Sequence, residues 1–378
     1  MNKLDELIQQ LCPDGVEYRS LERCCNILDK KRKPVTKTAR VTGEYPYYGA
    51  NGIQDYVADY IFDGTYVLVG EDGSVVTPSG NPVVNWAAGK IWVNNHAHII
   101  EEGEGVLLRY LFHFLQTVNI APLIHGNIPK LTGGDFKAIP IPVPPMEVQR
   151  EIVQILDQFT ELTAELTAEL TAELTARKKQ YEYYRDELFR TAKDGEVYYL
   201  NEISENCDNQ RKPVTSGNRI AGEYPYYGAS GIVDYVDDYI FDGDYLLISE
   251  DGANLLARST PIAFSISGKN WVNNHAHVLC FDTYETRRYV EIYLNSIDLS
   301  PYITGGAQPK LNQKNLNKIP IPLPSPDEQR RIVSILDRFD ALCNDLTSGL
   351  PAEIEARRKQ YEYYRDKLLT FPERTEQR

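Results

Sequence analysis

Apolar residues recur at helical spacing in two stretches of the chain. The first stretch contains no glycine or proline until after Arg190, which predicts one helix of about 45 residues, roughly 65 Å long. The second opens with the helix-start sequence Ser325-Pro326-Asp327-Glu328, and Gly349 and Pro351 then interrupt it, so we expect a kink or break there. The apolar stripes are Ile152, Ile155, Leu156, Phe159, Leu162, Leu166, Leu170 and Leu174, and then Ile332, Ile335, Leu336, Phe339, Leu342 and Leu346.

The residues before each helical stretch have a different pattern. From about Leu21 to Pro144 the chain is rich in Tyr, Val, Ile, Gly, Asn and Pro, with short alternating runs such as Tyr66–Val69 and, later, Tyr245–Ile248. This texture is typical of short strands joined by turns, with minor helices. The pattern therefore predicts an α+β fold class.

The chain repeats itself almost completely. GEYPYYGA occurs at Gly43–Ala50 and Gly222–Ala229, and WVNNHAH at Trp92–His98 and Trp271–His277, each pair offset by 179 residues. KQYEYYRD recurs with an offset of 180. A period this long indicates two whole, pseudo-symmetric domains rather than a stacked solenoid.

The duplication predicts four segments. These are an N-terminal domain (1–145), a first long helix (146–190), a C-terminal domain (191–325) and a second long helix (326–378). The apolar stripes of the two helices must be buried, which predicts an antiparallel coiled-coil pair. Asp5-Glu6-Leu7 before Asp14-Gly15 resembles Asp186-Glu187-Leu188 before Asp194-Gly195, so we expect the first residues to lie where the second helix ends.

A perfect four-residue repeat, ELTAELTAELTAELTA, occupies Glu161–Ala176 of the first helix. Each unit adds about 6 Å of helix. One interpretation is a generic coiled-coil spacer. The other is a ruler whose length sets the distance between two binding domains.

Charge and composition narrow the functional classes. Asp and Glu outnumber Lys and Arg by 54 to 40, a net charge of −14, which argues against coating nucleic acid by charge alone. The sequence has no apolar run of about 18 residues and no secretory pattern, so we expect a cytoplasmic protein without membrane contact. Six cysteines without a C-x-x-C pair indicate reduced thiols.

Recognisable catalytic motifs are absent. The sequence contains no phosphate loop, dinucleotide fingerprint, nucleophile elbow or amino-methyltransferase tetrapeptide, so catalysis by this chain is not expected. The pairs His96/His98 and His275/His277 could share one strand face and bind a metal, but no third ligand lies nearby in the sequence. Glu71-Asp72-Gly73 and its copy Glu250-Asp251-Gly252 suggest either a nuclease or ordinary turns.

Positive charge is concentrated beside aromatic and Gly/Asn-rich segments in both copies. Lys and Arg can position phosphate, glycine permits close approach of the backbone, and Asn or Gln can read adenine. A solvated loop is the alternative. The DNA-binding candidates are Lys31, Arg32, Lys33, Lys37, Arg40, Tyr48, Asn51, Asn127, Lys130 and Lys137 in the first copy, and Arg211, Lys212, Arg219, Tyr227, Ser230, Gln308, Lys310 and Lys314 in the second.

These motifs, in this order, resemble the DNA-sequence specificity subunit of type I restriction-modification systems. The resemblance covers essentially the whole chain and is carried by the YYGA-x-GI loops, the IPIP segments, the QR-x-IV-x-ILD helix starts and the TAEL run, which is similar to the TAEL-repeat branch. It implies that residues 15–145 and 195–325 are target recognition domains, each reading half of a bipartite, asymmetric site on double-stranded DNA.

The resemblance also implies partners and cofactors. Two modification subunits would bind the helices and carry S-adenosylmethionine, and restriction subunits would use ATP and Mg. This chain would hold no cofactor or metal and would supply specificity only. The partner-contact candidates are Ile152, Leu156, Phe159, Tyr181 and Tyr184 on the first helix and Ile332, Leu336, Phe339, Tyr361 and Tyr364 on the second. A stand-alone methyltransferase or nuclease and a coiled-coil scaffold are the alternatives.

Overall fold

The computed structural model describes residues 3–73, 75–192, 196–305, 308–345 and 348–374. The chain divides into two compact units. Unit 1 comprises Met1–Glu169 and Ile354–Arg378, and unit 2 comprises Leu170–Glu353. Each unit contains one domain of mixed strands and helices together with parts of the long helices, which confirms the predicted α+β class with two tandem domains.

Unit 1 is built around a six-stranded sheet with strand order β2-β7-β5-β6-β3-β4. All its pairings are antiparallel except that of β3 with β6, in which Tyr47 lies opposite Trp92 and Tyr48 opposite Val93. The elements up to the first long helix are α1 Lys3–Leu11, β1 Glu17–Ser20, β2 Cys25–Ile27, β3 Thr42–Gly49, β4 Gly52–Val57, β5 Phe62–Gly70, β6 Val84–Val93, β7 Ala97–Glu102, α2 Leu108–Leu115, β8 Ile124–His125, β9 Lys130–Leu131, α3 Gly133–Ala138, β10 Pro140–Val143 and α4 Met146–Thr191.

Unit 2 repeats this order with its sheet interrupted into two four-stranded parts, β12-β19-β16-β17 and β14-β13-β18-β15. The interruption lies at Gly243 and Gly268, which both have positive φ. The elements are β11 Glu196–Tyr199, α5 Leu200–Ile203, β12 Glu205–Asn206, β13 Ala221–Gly228, β14 Gly231–Val236, β15 Phe241–Asp242, β16 Tyr245–Ser249, α6 Asn254–Ala257, β17 Ala263–Ile266, β18 Lys269–Val272, β19 Ala276–Cys280, α7 Tyr284–Ser296, α8 Gln313–Leu316, β20 Pro320–Leu323, α9 Pro326–Asn344 and α10 Leu350–Leu368.

The predicted long helices form as expected. Helix α4 runs unbroken for 46 residues and includes the whole TAEL repeat. The second stretch is broken, with α9 ending at Asn344 and α10 beginning at Leu350, which confirms the predicted interruption near Gly349 and Pro351. Leu346 lies outside the described residues.

The QR-x-IV-x-ILD motif attaches each helix to its domain. The buried Gln149 amide accepts from the Leu107 backbone N–H and donates to the carbonyl oxygens of Gly105 and Pro144. At the end of the motif, the Asp157 carboxylate binds both Arg109 and His113 of α2. In unit 2, Gln329 contacts Thr286 and Pro324, and Asp337 binds Arg288 and Tyr284.

Four partner-contact candidates belong instead to the cores. Ile152 and Leu156 are completely buried in unit 1, and Ile332 and Leu336 in unit 2. Their placement corrects the expectation that they face a partner, because the first turns of each helix pack on its own domain. Helical periodicity alone did not distinguish this face from a docking face.

The remaining candidates lie where two helices run antiparallel within each unit. In unit 1, the Phe159 and Tyr364 rings are 6.2 Å apart, and the hydroxyls of Thr160 and Tyr361 are 3.0 Å apart. In unit 2, Phe339 packs against Tyr181 and Tyr184. Phe159, Tyr184 and Tyr364 remain about two-fifths exposed.

Residues from the two ends of the sequence meet in unit 1. The Val16 backbone N–H donates to the Pro372 carbonyl, the Arg374 N–H donates to Val16, and the Tyr18 hydroxyl donates to Phe371. Strand β1 then pairs with the IPIP strand β10, as β11 pairs with β20 in unit 2. This confirms the predicted position of the first residues. Asp194 and Gly195, used in that comparison, lie outside the described residues.

Two further sequence expectations can be compared with the fold. All six cysteines are free thiols, and burial raises the pKa of Cys24 to about 11 and that of Cys25 to about 12. Among the described residues, no helix combines the length and apolar character that crossing a membrane requires.

The start of β13 provides a test of the close packing. A Cβ on Gly222 would lie 2.3 Å from the backbone Cα of Asp237, whereas a Cβ on Gly217 would have no heavy atom within 4 Å. We therefore expect Gly222→Ala to destabilise unit 2 by about 1–3 kcal/mol, because the strand pair must separate. Gly217→Ala is the matched control and should stay within about 0.5 kcal/mol of the parent chain. Chemical denaturation monitored by circular dichroism measures both, and equal midpoints for the two variants would contradict this packing.

Candidate nucleic-acid interface

A buried polar network lies beneath the loops of unit 1. His98, at 1 % exposure, contacts the Asp29 carboxylate through Nδ1 at 2.6 Å and the Leu131 carbonyl oxygen through Nε2 at 3.1 Å. Glu71 receives Arg32 at 2.6 Å and the Lys130 ammonium at 3.2 Å. The network thus joins four segments that are distant in sequence.

Unit 2 contains the same network at equivalent positions. His277 contacts Asp208 at 2.6 Å through Nδ1 and the Leu311 carbonyl oxygen at 2.8 Å through Nε2. Glu250 receives Arg211 at 2.7 Å and Lys310 at 3.0 Å. Both ring nitrogens of each histidine face oxygen acceptors, an arrangement whose two hydrogen bonds are both satisfied by the imidazolium form.

The carboxylates are held in their charged form. Burial acts to raise the pKa of Asp29 and Asp208, but the hydrogen bond and charge of the histidine, a backbone N–H and the nearby arginine together outweigh it, so both pKa values are lowered. Burial likewise opposes ionisation of Glu250, yet Arg211 and Lys310 lower its pKa. In each network the two carboxylates are therefore surrounded by an arginine, a lysine and a histidine.

Each network also has the composition of a possible metal site, because Asp29, Glu71 and His98 place ligand atoms within 4.8 Å of one another, as do Asp208, Glu250 and His277. The donor set does not fit a metal ion. A histidine ligand must offer a lone pair, and both nitrogens of these rings are occupied as donors. The carboxylates already bind guanidinium and ammonium groups, so we assign the clusters to loop positioning.

The basic loop of each domain folds onto the sheet through its arginines. Arg40 donates to the Val35 carbonyl, pairs with Asp55 at 3.2 Å and stacks over the Tyr47 ring at 4.1 Å. The Trp92 indole donates to the Lys33 carbonyl oxygen at 2.6 Å. In unit 2 the same contacts are made by Arg219, with Val214, Asp234 and Tyr226, and by Trp271 with Lys212.

These contacts revise six of the DNA-binding candidates. Arg32, Arg40, Arg211 and Arg219 have only 12–18 % of their side chains exposed and are engaged within their domains, so they position loops. Tyr48 is buried, and Tyr227 packs against Phe264. The sequence does not indicate whether a charged or aromatic side chain near a loop faces solvent or packs within its own domain.

The other candidates are exposed, and several lie on neighbouring loops. The Lys130 segment is bonded to the turn at Glu71-Asp72-Gly73, and that turn is bonded to His96. The Asn94 backbone N–H donates to the Tyr48 carbonyl oxygen, and the Asn94 side chain accepts from the His96 backbone N–H. These two hydrogen bonds bring the β3–β4 hairpin beside the turn and the Lys130 segment. The exposed candidates are Lys31, Lys33, Lys37, Asn51, Asn127, Lys130 and Lys137 in unit 1 and Lys212, Ser230, Gln308, Lys310 and Lys314 in unit 2.

The acidic pairs form turns. Asp72 contacts His96, and Asp251 contacts His275 at 2.9 Å. Gly73 and Gly252 adopt positive φ, which is ordinary turn chemistry. Glu71 and Glu250 are held by cations within the networks, so the paired carboxylates are not arranged to activate a shared water.

Sequence reasoning considered Glu71 and His98, with their copies, for other roles and missed Asp29 and Asp208. Asp29, Glu71 and His98 recur as Asp208, Glu250 and His277 at one offset of 179 residues, which Arg32 and Arg211 share. This shared offset was the available signal. It could not show that these side chains meet, because they belong to three separate segments in each unit.

The family model for the type I restriction modification DNA specificity domain matches residues 13–176 and, a second time, residues 192–356. The chain belongs to this specificity family. Its two family matches contain the two networks, one in each.

Relatives in this specificity family match nearly all or most of the chain. A putative type I restriction enzyme specificity subunit of Haemophilus influenzae is 39% identical, over 94% of this chain and 96% of that protein. A type I restriction enzyme specificity subunit of Escherichia coli is 36% identical, over 70% of this chain and 71% of that protein.

Solved structures share the fold. A chain from a study of complex assembly and conformational transition of the type I restriction-modification system superposes with a TM-score of 0.60 at 17% identity, covering 95% of this chain and 98% of that one. The type I restriction-modification S subunit of M. genitalium gives a TM-score of 0.52 at 18% identity, covering 95% and 97%. At these identities the likeness concerns the fold alone.

The buried pair of Asp208 and His277 stabilises unit 2. Asp208→Asn removes the anion that faces the buried His277 imidazolium, so we expect the free energy of unfolding of unit 2 to fall by about 3 kcal/mol at pH 7. Asp251→Asn is the matched control, because its partner His275 is half exposed and the loss should stay below about 1 kcal/mol. Equal losses in urea denaturation would contradict the network.

The pH dependence of this effect follows from the lowered pKa of Asp208. The unfolded chain binds more protons than the folded chain at acidic pH, so the stabilisation is present above about pH 4 and is lost as the pH falls through the lower folded pKa. The stabilities of the parent chain and Asp208→Asn should therefore converge in acid.

Proposed function

We propose that this chain is the sequence-specific DNA-binding specificity subunit of a type I restriction-modification complex, with each domain reading one half of a bipartite, asymmetric site on double-stranded DNA. The observation that carries the proposal is the duplicated loop frame. Each unit fixes its loops by the same buried network but carries different exposed side chains, such as Asn51 in place of Ser230. A shared frame with different surface groups suits two related readers of different sequences.

The chain would supply specificity and no catalysis. We expect two modification subunits that carry S-adenosylmethionine and restriction subunits that use ATP and Mg, with the complex in the cytoplasm. The descriptions of the relatives support this division of roles, because they are specificity subunits.

The net charge supports a need for partners in DNA binding. Residues 21–145 contain 11 basic and 12 acidic residues, and residues 191–325 contain 11 basic and 17 acidic residues. Phosphate contacts from positive groups supply most non-specific affinity, so an acidic domain alone should bind DNA weakly. The assembled complex would supply the missing contacts.

The exposed aromatic side chains of the helical pairs are the proposed docking surface for the modification subunits. Tyr183 and Tyr363 are 66% and 62% exposed, and each packs edge-on against the tyrosine that follows it. Aromatic residues are enriched at protein interfaces. Tyr183 and Tyr363 replace the buried candidates, and Phe159, Tyr184 and Tyr364 are retained.

Domain exchange tests the proposed function. The chain is assembled with its modification subunits, the DNA it methylates is sequenced, and residues 15–145 are then replaced by the equivalent domain of another family member. We expect one half of the bipartite motif to change and the other to stay the same, because each network is complete within its own unit. Absence of any bipartite motif from the parent complex would refute the function, and a change in both halves would refute modular reading.

The TAEL repeat tests the ruler interpretation. Deleting Thr163–Leu166 removes one unit and shortens helix α4 by about 6 Å, which corresponds to about one to two base pairs of B-DNA. The helix also loses about 40° of phase, which the break between α9 and α10 must absorb. We expect both half-sites to be retained with a shorter gap, and insertion of one unit to lengthen the gap. If both variants are active with an unchanged gap, TAEL is only a connector.

A further inference from the structure

The two units fix one hairpin tip in the same way. The Pro129 carbonyl accepts from the Gly73 N–H at 2.9 Å, and the Pro309 carbonyl accepts from Gly252 at 3.1 Å. Backbone pairing continues into the network, where the Leu131 N–H donates to the Glu71 carbonyl at 2.8 Å and Leu311 donates to Glu250 at 2.7 Å. The residue before each proline is therefore anchored from one side by the turn and the buried glutamate.

A glycine fixes the other side of each tip. Gly126 has a φ of +84° and Gly305 a φ of +86°. A Cβ at these positions would lie 3.3 Å from the Ile128 carbonyl oxygen and 2.4 Å from that of Gln308. The residue before a proline is also restricted to extended conformations. Ile128 and Gln308 thus both directly precede the proline that the turn anchors, and the second tip has one more residue between its glycine and that proline.

The side chain before the anchored proline differs in chemistry between the two units. Ile128 is 70% exposed, among the most exposed of the large apolar residues, and Gln308 is also exposed. Both precede a Pro-Lys pair whose lysine remains about half exposed while it contacts the buried glutamate. An apolar side chain at the tip of a loop that carries Asn127 and Lys130 contributes nothing to the core of its own domain.

Isoleucine and glutamine side chains are suited to different base edges in DNA. An apolar group makes favourable contact with the C5 methyl of thymine, and a glutamine amide can bond in pairs to N6 and N7 of adenine. Neither group is suited to phosphate, whereas the adjacent lysines are. The lysine can therefore position the backbone of the DNA while the residue two places earlier faces a base.

We propose that Ile128 and Gln308 are equivalent specificity-determining residues, with Ile128 contacting a thymine methyl and Gln308 an adenine edge at the corresponding base pair of the two half-sites. This assignment rests on the proposed function and adds to it the class of base that each tip reads. It predicts an A·T pair at this position in both halves, in opposite orientations relative to the reading domain.

The experiment uses the full chain assembled with its modification subunits and a plasmid library randomised over both half-sites. Methylated positions are sequenced for the parent complex and for Ile128→Gln. We expect the preference for thymine over adenine to reverse by about tenfold or more at one position of one half-site. The reciprocal Gln308→Ile should convert adenine to thymine in the other half-site.

Two variants serve as controls. Ile128→Val keeps an apolar group and should keep the thymine preference. Val197→Gln introduces the same amide at another exposed apolar position, 56% exposed on strand β11, and should leave the motif unchanged. Thermal unfolding within about 2 °C of the parent chain shows that each variant is folded.

The outcomes distinguish this inference from the proposed function. No bipartite motif from the parent complex refutes the function and, with it, the inference. A parent motif that Ile128→Gln leaves unchanged, or weakens equally at every position, refutes the inference alone. A base change confined to one position in the half-site read by unit 1, absent in Ile128→Val and Val197→Gln, supports it.

Discussion

Each domain depends on a buried imidazolium that is held between a carboxylate and a backbone carbonyl. His98 and His277 are 1% exposed, and such a charge is tolerable only when it is paired and fully hydrogen-bonded. The partners come from the start of the basic loop and from the segment before α3 or α8, and the arginine and lysine that neutralise the neighbouring glutamate come from those same two segments. One charged ring therefore fixes the relative positions of segments that the sheet alone would leave free.

This arrangement separates support from recognition. The residues that hold the loops are the same in both units, whereas several of the exposed residues differ, such as Asn51 and Ser230. A buried, compensated cluster tolerates few substitutions, because loss of one partner leaves an uncompensated charge. Exposed tip residues carry no such constraint, so surface chemistry can change without loss of the frame.

The sequence predicted the architecture, but it did not predict which candidate side chains are engaged within their own domains. The long helix followed from the apolar periodicity, and the broken second helix followed from Gly349-Pro351. The position of the first residues followed from the internal repeat. All three features can be seen within the sequence itself, without knowledge of tertiary contacts. The roles of Arg32 and Arg40 did not follow, because a basic residue beside aromatics is compatible with both DNA contact and a cation–π contact with Tyr47. Ile152 was predicted to face a partner but packs in the core of unit 1, because a stripe of apolar residues is equally compatible with burial against its own domain and with burial against a partner. The meeting of Asp29, Glu71 and His98 required the tertiary fold.

The closure of unit 1 has a consequence for biosynthesis. Unit 2 is one continuous segment, Leu170–Glu353, whereas unit 1 needs Ile354–Arg378 in addition to Met1–Glu169. Leu369 and Phe371 are buried in its core, and the strand at Val16 bonds to Pro372. The domain that leaves the ribosome first is thus completed last, after the other has had time to fold. A nascent or prematurely terminated chain leaves an apolar face of its first domain uncovered, and chaperones and proteases can act on this state. The first domain can therefore be completed only after the second domain has been translated.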